Sequence, residues 1–284
     1  MSVSRAPKAR GQSPDRLSSR SKRNPAKAAS QSFNGLAFYD LDGTLVDLNL
    51  VHATLFLLAN VAEWSGRLKY LVGFVARLPR LYRAEQTDRR LLNAMLFEAF
   101  KGVSRDRLEV LGEEYCERIL LHHLYPHALQ MVEANRAAGL QPIVVSGSPD
   151  FIVAPLAERL KIPDFAANRL VFSAGLATGR LHTPVMAGED KAEWCKTYAA
   201  SHSVSLDSCW AYADSYYDLP FLATAGHAVA VNPDRRLAAA ALSRQWPILT
   251  FAKSQTAARP GWTRLVQLQQ PDRRRPNGTA RSQA

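Results

Sequence analysis

Acidic, hydroxyl-bearing and glycine residues gather at three places in this sequence, each directly after a short apolar run. The clusters are Asp40-Leu41-Asp42-Gly43-Thr44, Ser146-Gly147-Ser148, and Asp214 with Asp218. One lysine, Lys191, precedes the third cluster. Four carboxylates brought to one place repel one another, and a hard divalent cation with oxygen ligands is their natural compensation. The pattern therefore predicts that the aspartates of the first and third clusters hold a Mg²⁺ ion.

The first cluster has the residue types that phosphoryl transfer needs. One of the two carboxylates Asp40 and Asp42 can attack phosphorus to give an acyl phosphate, while the other serves as proton donor and then as base. Lys191, the Ser146 hydroxyl and backbone N–H groups near Gly147 can neutralise the equatorial oxygens of the transferring group. The expected chemistry is phosphoryl transfer through a covalent aspartyl-phosphate.

The apolar runs before the clusters are typical of buried strands in a parallel sheet. Four such runs are present, at residues 36–39, 142–145, 209–213 and 228–231. They alternate with helical patterns, which favours an α/β fold with a Rossmann-like, mainly parallel sheet. Parallel strands end at one edge of a sheet, where ligands bind, so the clusters should converge there. Ser148 and Pro149 have the residue types of a helix N-cap and first helical position, and that helix would direct its positive end at the same edge.

A long block between the first two strands predicts a second substructure. Residues 48–123 show only helical signals, and the block is too long for a single crossover. We expect a helical cap inserted after the first core strand, with the catalytic core formed by residues 35–47 and 124–250. Residues 251–284 are expected to be a C-terminal extension whose last part is disordered.

The polar clusters resemble the four signatures of the haloacid dehalogenase superfamily, in the same order along the chain. DxDGT is present as residues 40–44, an apolar strand ending in serine as 143–146, the lone lysine as Lys191, and DxxxD as residues 214–218. The placing of the helical block is similar to subfamily IB, which contains phosphoserine phosphatase. The resemblance covers about residues 35–250 and implies a Mg²⁺-dependent phosphoric monoester hydrolase.

The resemblance also implies a role for each matching residue. Asp40 would be the nucleophile and a metal ligand, and Asp42 the general acid and base, which also offers the metal its backbone carbonyl. Asp214 would bind the metal directly, and Asp218 would hold its waters. The residues implied for the phosphate site are Ser146, Gly147 and Lys191, with Thr44 supporting the loop. Dehalogenases of the superfamily lack the second aspartate, so the presence of Asp42 favours phosphate chemistry.

Most of the positive charge lies at the two ends of the chain. The net charge is +11 over 284 residues, of which residues 1–34 carry +7 and residues 271–284 carry +3. Residues 1–34 have one aromatic residue, Phe33, and cannot bury enough surface to offset the entropy of ordering, so we predict a disordered basic arm. The arm is interpreted as a solubilising tail, a contact for an anionic membrane surface, or an organelle-targeting peptide. A nucleic acid is not the partner we expect.

Cysteine content and hydropathy bear on the compartment. The three cysteines show no CxxC spacing, which argues against a disulfide framework and against a zinc site. No run reaches the 18 or so apolar residues that a membrane span needs. A cytoplasmic protein is expected, with peripheral membrane attachment or organelle targeting as alternatives, and the oligomeric state is left open.

The substrate is open at this point. A small polar phosphomonoester, such as phosphoserine or histidinol phosphate, is the first expectation. Residues 68–82 interleave apolar and basic side chains, which is typical either of an interfacial helix or of the inner face of an ordinary cap, and the former would favour a lipid phosphate. Asp47, Arg89 and Arg90 could help to recognise the substrate from the cap, but an arginine pair on a helix is more often a solvated face. A noncatalytic binding or regulatory protein that works through its basic arm is the alternative from another class.

Overall fold

The computed structural model describes residues 33–61, 70 and 72–252, and from Asn34 onward these belong to one compact unit. Nearly all of the predicted basic arm and most of the C-terminal extension lie outside the described residues, as does part of the apolar and basic stretch at 68–82. None of the helices in the described part is long and apolar enough to cross a bilayer.

A six-stranded sheet forms the core of the described chain. Its strands are β1 (Gly35–Tyr39), β2 (Leu140–Pro149), β3 (Asp164–Asn168), β6 (Trp210–Ala213), β7 (His227–Val231) and β8 (Ile248–Leu249). They lie in the order β3-β2-β1-β6-β7-β8, and every neighbouring pair is parallel. Two further strands, β4 (Leu170–Ser173) and β5 (Leu176–Leu181), pair antiparallel outside this sheet. The predicted Rossmann-like, mainly parallel α/β core is confirmed.

β1 lies in the middle of the sheet because it is apolar on both faces. Leu36 and Phe38 belong to the core cluster on one face, and Ala37 and Tyr39 to the cluster on the other. β1 pairs with β2 on one side and with β6 on the other, and the backbone N–H of Asp40 donates to a carbonyl of β6 at 2.9 Å. The carboxyl ends of these three strands are therefore adjacent, which brings the three predicted clusters to one edge.

Helices cover both faces of the sheet and fill the long block after β1. The α-helices are α1 (Leu50–Asn60), α2 (Leu78–Thr87), α3 (Arg89–Glu98), α4 (Arg105–Arg118), α5 (Pro126–Ala137), α6 (Asp150–Arg159), α7 (Glu189–Ser201), α8 (Leu219–Leu222) and α9 (Arg235–Ser243). Short 3₁₀ helices occur at Leu120–His122, Leu206–Ser208 and Tyr216–Asp218. Within the described part of residues 48–123 the elements are helical throughout, which is consistent with the predicted cap.

Side-chain caps set where the cap helices begin. The Asn49 side chain accepts a hydrogen bond from His52 N (3.0 Å) at the start of α1, and Asp88 accepts one from Arg90 N (2.8 Å) at the start of α3. Asp88 also ends α2, with an extended backbone between the two helices. The chain therefore changes direction at Asp88, and α3 begins there as a separate helix.

The β4–β5 hairpin joins the cap to the core. The backbone N–H of Gly102 donates to Ala177 O at 2.8 Å, and that of Arg105 donates to Gly175 O at 2.9 Å. Hydrogen bonds between backbone groups need close and specific alignment. They therefore hold the end of α3 and the start of α4 against a hairpin that follows directly from β3.

The sequence does not predict β3 or β8, and both lie at the edges of the sheet. An edge strand has a partner on one side only, so its sequence need not be a continuous apolar run. β3 reads DFAAN and is half-buried over much of its length, while β8 has only two residues. Both strands therefore lack the apolar run by which β1 and β6 are recognised.

Candidate active site

Asp40 occupies the first position after β1 and forms a buried ion pair. Lys191 Nζ lies 2.6 Å from Asp40 Oδ1 and 3.0 Å from Asp218 Oδ1, and all three side chains are less than 10% exposed. Lys191 comes from the first turn of α7, and Asp218 from the 3₁₀ helix after β6. The ammonium group thus bridges carboxylates that three different segments bring together.

Burial sets the acid–base properties of this group. Desolvation raises the pKa of Asp40 to about 7, against the lowering effect of Lys191. Burial by itself would lower the pKa of Lys191, but Asp218 and Asp40 raise it by more, so its net pKa lies above the usual range. Lys191 is therefore a permanent cation beside Asp40.

Three aspartates are close enough to share one metal ion. Carboxylate oxygens of Asp40, Asp214 and Asp218 lie within 4.8 Å of one another. Burial raises the pKa of Asp214 well above its usual range, and the negative charges of Asp40 and Asp218 raise it further. Such a cluster of oxygen donors with excess negative charge fits a hard divalent cation such as Mg²⁺, which lowers the cost of keeping the acids ionised.

The turn after β1 depends on a glycine. Gly43 has φ +79°, and a Cβ at this position would lie 2.2 Å from Asp214 Oδ2. Glycine is therefore needed both for the backbone conformation and for the close approach of Asp214. Thr44, the next residue, is fully buried, and its hydroxyl donates to Asp214 Oδ1 at 3.5 Å. The structure thus places Thr44 beside a carboxylate of the predicted metal site.

Asp42 lines the same cavity but is not one of the three aspartates whose oxygens could share a metal ion. Its Oδ2 accepts a hydrogen bond of 2.7 Å from Ser148 Oγ. Burial raises the pKa of Asp42, although the hydrogen bond from Ser148 and the charge of Arg89 lower it. A raised pKa favours a carboxyl group that can carry a proton near neutral pH, as a general acid must.

Ser148 differs from its predicted position. β2 continues to Pro149, which is itself the N-cap of α6, and the helix begins at Asp150. The Ser148 side chain is therefore used for Asp42 and not for capping. A hydroxyl residue before a proline is typical of a helix start. The same pair of residues also suits the end of a strand, where the hydroxyl can donate to a nearby carboxylate.

The carboxyl end of β2 carries two of the predicted phosphate-binding residues, Ser146 and Gly147. Ser146 is fully buried, and its Oγ accepts a hydrogen bond from Ser148 N at 2.9 Å. Gly147 lines the cavity above Asp40. Its carbonyl accepts a hydrogen bond from Asn168 Nδ2 (2.8 Å), and Asn168 Oδ1 accepts one from Met186 N (2.8 Å). Asn168 thus fixes the end of β2, and the sequence does not indicate it as a site residue because β3 is not predicted.

The cap contributes side chains to the same cavity. The lining residues are Asp40, Asp42, Leu50, Arg89, Asn93, Gly147, Met186, Ala187, Lys191 and Asp218. Arg89 therefore lines the site, where a residue that recognises the substrate from the cap would have to lie. Arg90 lies outside the lining and contacts Asp190 and Asp88, at 3.5 and 3.8 Å. Asn93, one helical turn after Arg89, also lines the cavity. The sequence does not indicate it as a site residue, because a single asparagine in a helix belongs to no functional motif.

Residues 37–223 match the family model of haloacid dehalogenase-like hydrolases. The chain belongs to this family. Among the relatives of this hydrolase, phosphoserine phosphatase SerB1 of Mycobacterium tuberculosis is 30% identical over 229 residues, which are 79% of this chain and 73% of that protein. Histidinol-phosphatase of Neisseria meningitidis is 29% identical over 229 residues, 76% of this chain and 98% of that protein. The predicted family and the predicted class, a phosphoric monoester hydrolase, are confirmed.

Solved structures share the fold of this hydrolase. A protein of unknown function from Bordetella pertussis has a TM-score of 0.66 at 22% identity, over 77% of this chain and 99% of that one. A phospho-aspartyl intermediate analogue of phosphoserine phosphatase has a TM-score of 0.56 at 19% identity, over 77% of this chain and 94% of that one. At these identities the likeness is one of fold.

Proposed function

We propose that this hydrolase is a Mg²⁺-dependent phosphatase that cleaves a small phosphomonoester through an aspartyl-phosphate on Asp40. The observation that carries the proposal is the buried group in which Lys191 contacts Asp40 and Asp218 at 2.6 and 3.0 Å, next to Asp214. One ammonium group does not balance these carboxylates, so the group fits a divalent cation. Asp42 stands beside it, held by Ser148.

In the first step, a carboxylate oxygen of Asp40 attacks phosphorus. A new O–P bond forms, the P–O bond to the leaving group breaks, and Asp42 gives its proton to the leaving oxygen. The hydrogen bond from Ser148 Oγ (2.7 Å) fixes one oxygen of Asp42, so that the other is available for the proton. The raised pKa of Asp42 favours the protonated form that this step requires.

In the second step, water attacks the phosphorus of the aspartyl-phosphate. Asp42, now a carboxylate, accepts a proton from the water, and the O–P bond to Asp40 breaks. Inorganic phosphate is released, and both aspartates return to their starting states. Lys191 stays protonated throughout because Asp218 and Asp40 raise its pKa, and it offsets the negative charge of the transferring group.

The residues that would hold Mg²⁺ are Asp40, Asp214 and Asp218, with the backbone carbonyl of Asp42. When bound, the ion would neutralise charge on the phosphoryl oxygens and on the carboxylates around them. Gly43 supports this role, because the absence of a side chain lets Asp214 approach the turn that carries Asp40 and Asp42.

A small polar ester is the substrate class that the cavity supports best. Arg89 and Asn93 from the cap and Leu50 and Met186 at its sides give a mixed polar and apolar lining. The relatives named phosphoserine phosphatase and histidinol-phosphatase act on small molecules of this kind by their names, which supports the same class here.

A panel assay tests the proposed function. Phosphate release would be measured from phosphoserine, histidinol phosphate, sugar phosphates, an aryl phosphate, lysophosphatidate and phosphatidylglycerophosphate, with Mg²⁺ or with EDTA. We expect turnover of a small polar ester that requires Mg²⁺ and is lost in Asp40→Asn. Asp207→Asn, which changes an exposed aspartate away from the site, should retain wild-type turnover. Equal activity of Asp40→Asn and wild type would refute the nucleophile.

A lipid phosphate is the second candidate, and exposed side chains within residues 72–83 of the cap favour it. Val72, Val75 and Tyr82 are 59%, 60% and 66% exposed, and Arg80 and Arg83 in the same stretch are also exposed. Apolar and basic side chains together suit an anionic membrane surface. The paired change Val75→Ser with Tyr82→Ser should then reduce sedimentation with anionic vesicles, while Leu242→Ser on α9, 70% exposed, should not. Equal vesicle binding by the two variants would contradict the lipid phosphate and leave the small polar ester as the remaining candidate substrate.

The basic arm is a separate hypothesis. Residues 1–34 would add contact with an anionic surface and take no part in the chemistry, because the reacting groups all lie in the core and the cap. Deleting them should leave turnover of a soluble ester unchanged. A loss of that turnover would indicate that the arm has a part in the activity.

A further inference from the structure

Asn93 is an unusual residue of the cap. It lies on the buried face of α3 with Leu92, Leu96 and Phe97, and it is 1% exposed. Its Nδ2 has no hydrogen-bond partner among the described residues. A buried donor without a partner costs about 1 to 3 kcal/mol, whereas an apolar residue of the same shape would carry no such cost. The amide is therefore placed to donate to a partner that is not part of the chain.

The Asn93 amide is aimed at the carboxyl end of β2, where the predicted phosphate-binding residues lie. Asn93 lines the cavity together with Asp40, Gly147 and Lys191. A Cβ on Gly147 would lie 2.9 Å from Asn93 Nδ2 and 3.3 Å from Met186 O. Gly147 has no positive φ, so its backbone conformation alone does not demand glycine. The position of the would-be Cβ therefore places Asn93 Nδ2 directly against Gly147.

The chemistry of the site identifies the missing partner. An amide N–H needs an acceptor, and the position beside Gly147 and Lys191 is where an anion would be bound. Arg89, one helical turn before Asn93, adds positive charge to the same wall of the cavity. We infer that Asn93 Nδ2 donates a hydrogen bond to an oxygen of the phosphoryl group itself, so that a cap residue touches the transferring group. This inference rests on the proposed phosphatase function.

The Asn93→Leu variant tests the inference, because leucine has nearly the same shape and no donor. The probe is inorganic phosphate, used as a competitive inhibitor of ester hydrolysis in the presence of Mg²⁺. We expect its inhibition constant to rise about tenfold or more, as for loss of a hydrogen bond to a charged group. We also expect the melting temperature to rise, because a buried donor without a partner is removed. A residue with a merely structural role would instead lose stability on substitution and keep the wild-type inhibition constant.

A matched control is Asn135→Leu. Asn135 Nδ2 donates to Tyr39 OH (2.6 Å) and Tyr212 OH (2.8 Å), outside the cavity lining. This variant should lose stability and keep the wild-type inhibition constant. The inference is overturned if phosphate inhibits Asn93→Leu as strongly as it inhibits the wild type. This includes the case in which only the KM for the ester rises, because the amide would then contact the leaving group and not the phosphoryl group. Wild-type protein without turnover of any ester would instead refute the proposed function.

Discussion

Lys191 Nζ lies 2.6 Å from Asp40 Oδ1, and both side chains are almost completely buried. A buried charge pair is costly to desolvate and costlier still to break, because the remaining charge is left without compensation. Asp218, 3.0 Å from the same ammonium group, makes Lys191 the counterion of two acids. The site therefore depends on this lysine for stability as well as for charge.

Lys191→Met should destabilise the protein strongly in the absence of metal. Loss of the cation leaves Asp40 and Asp218 uncompensated, and we expect a fall of about 3 to 5 kcal/mol in the free energy of unfolding. Mg²⁺ should restore part of it by supplying positive charge to the same carboxylates. Urea unfolding measures the loss of stability in EDTA and the part of it that is recovered in Mg²⁺. Lys196→Met, on the same helix but half-exposed beside Glu193, should cost about 0 to 1 kcal/mol; a similar loss in the two variants would contradict the expectation.

Gly43→Ala should lower the free energy of unfolding by more than the same substitution does at a glycine that has only a positive φ. Gly102→Ala is the matched control, since Gly102 has φ +86° and no atom within 4 Å of its would-be Cβ. Gly102→Ala should lose about 1 to 2 kcal/mol from backbone strain. At Gly43 the contact with Asp214 should add about 1 to 3 kcal/mol and weaken Mg²⁺ binding, as chemical unfolding and calorimetric titration would report. Equal losses would mean that Asp214 moves aside freely.

Ser148→Ala should slow turnover without unfolding the protein. The Ser148 hydroxyl donates to Asp42 Oδ2 at 2.7 Å, and a hydrogen bond to a charged group is worth about 1.5 to 3 kcal/mol, so kcat should fall about tenfold or more. The bond also lowers the pKa of Asp42, so the pH profile of the variant should shift to higher pH. Ser201→Ala, an exposed serine at the end of α7, is the control. An unchanged kcat and profile would remove Ser148 from the acid–base function.

His52 should make the stability depend on pH. Burial, with a smaller contribution from His123, lowers the pKa of His52 to about 4, while its Nδ1 lies 2.9 Å from Tyr115 OH. As the pH falls from about 6.5 to about 4, the unfolded chain binds a proton that the folded chain does not, so stability should decline over this window. His52→Asn keeps a polar atom toward Tyr115 and cannot titrate, and it should flatten the decline in urea unfolding. A decline in His52→Asn as steep as in the wild type would assign the pH dependence to other groups.

Much of the fold follows from patterns in the sequence. β1, β2, β6 and β7 are central or next to the centre of the sheet, and such strands need apolar residues on both faces, which makes them visible as short apolar runs. The run of helical signals after β1 is long enough to require an insertion. Edge strands need only one partner and one covered face. β3 and β8 are therefore not visible in the sequence. Because β3 is not predicted, neither is the role of Asn168, which fixes the end of β2 at Gly147.

The sequence by itself determined the family, the four inner strands of the sheet, and the residue types gathered at their carboxyl ends, because parallel strands bring the residues that follow them to one edge. Only the tertiary structure decided which cap residues face that edge. Arg89 and Asn93 line the cavity while Arg90 turns to Asp190. Helical periodicity states which residues share a face, but the direction of that face is set by the turn at Asp88 and by the hairpin bonds at Gly102 and Arg105. Those contacts join residues far apart in the chain, and no local pattern encodes them.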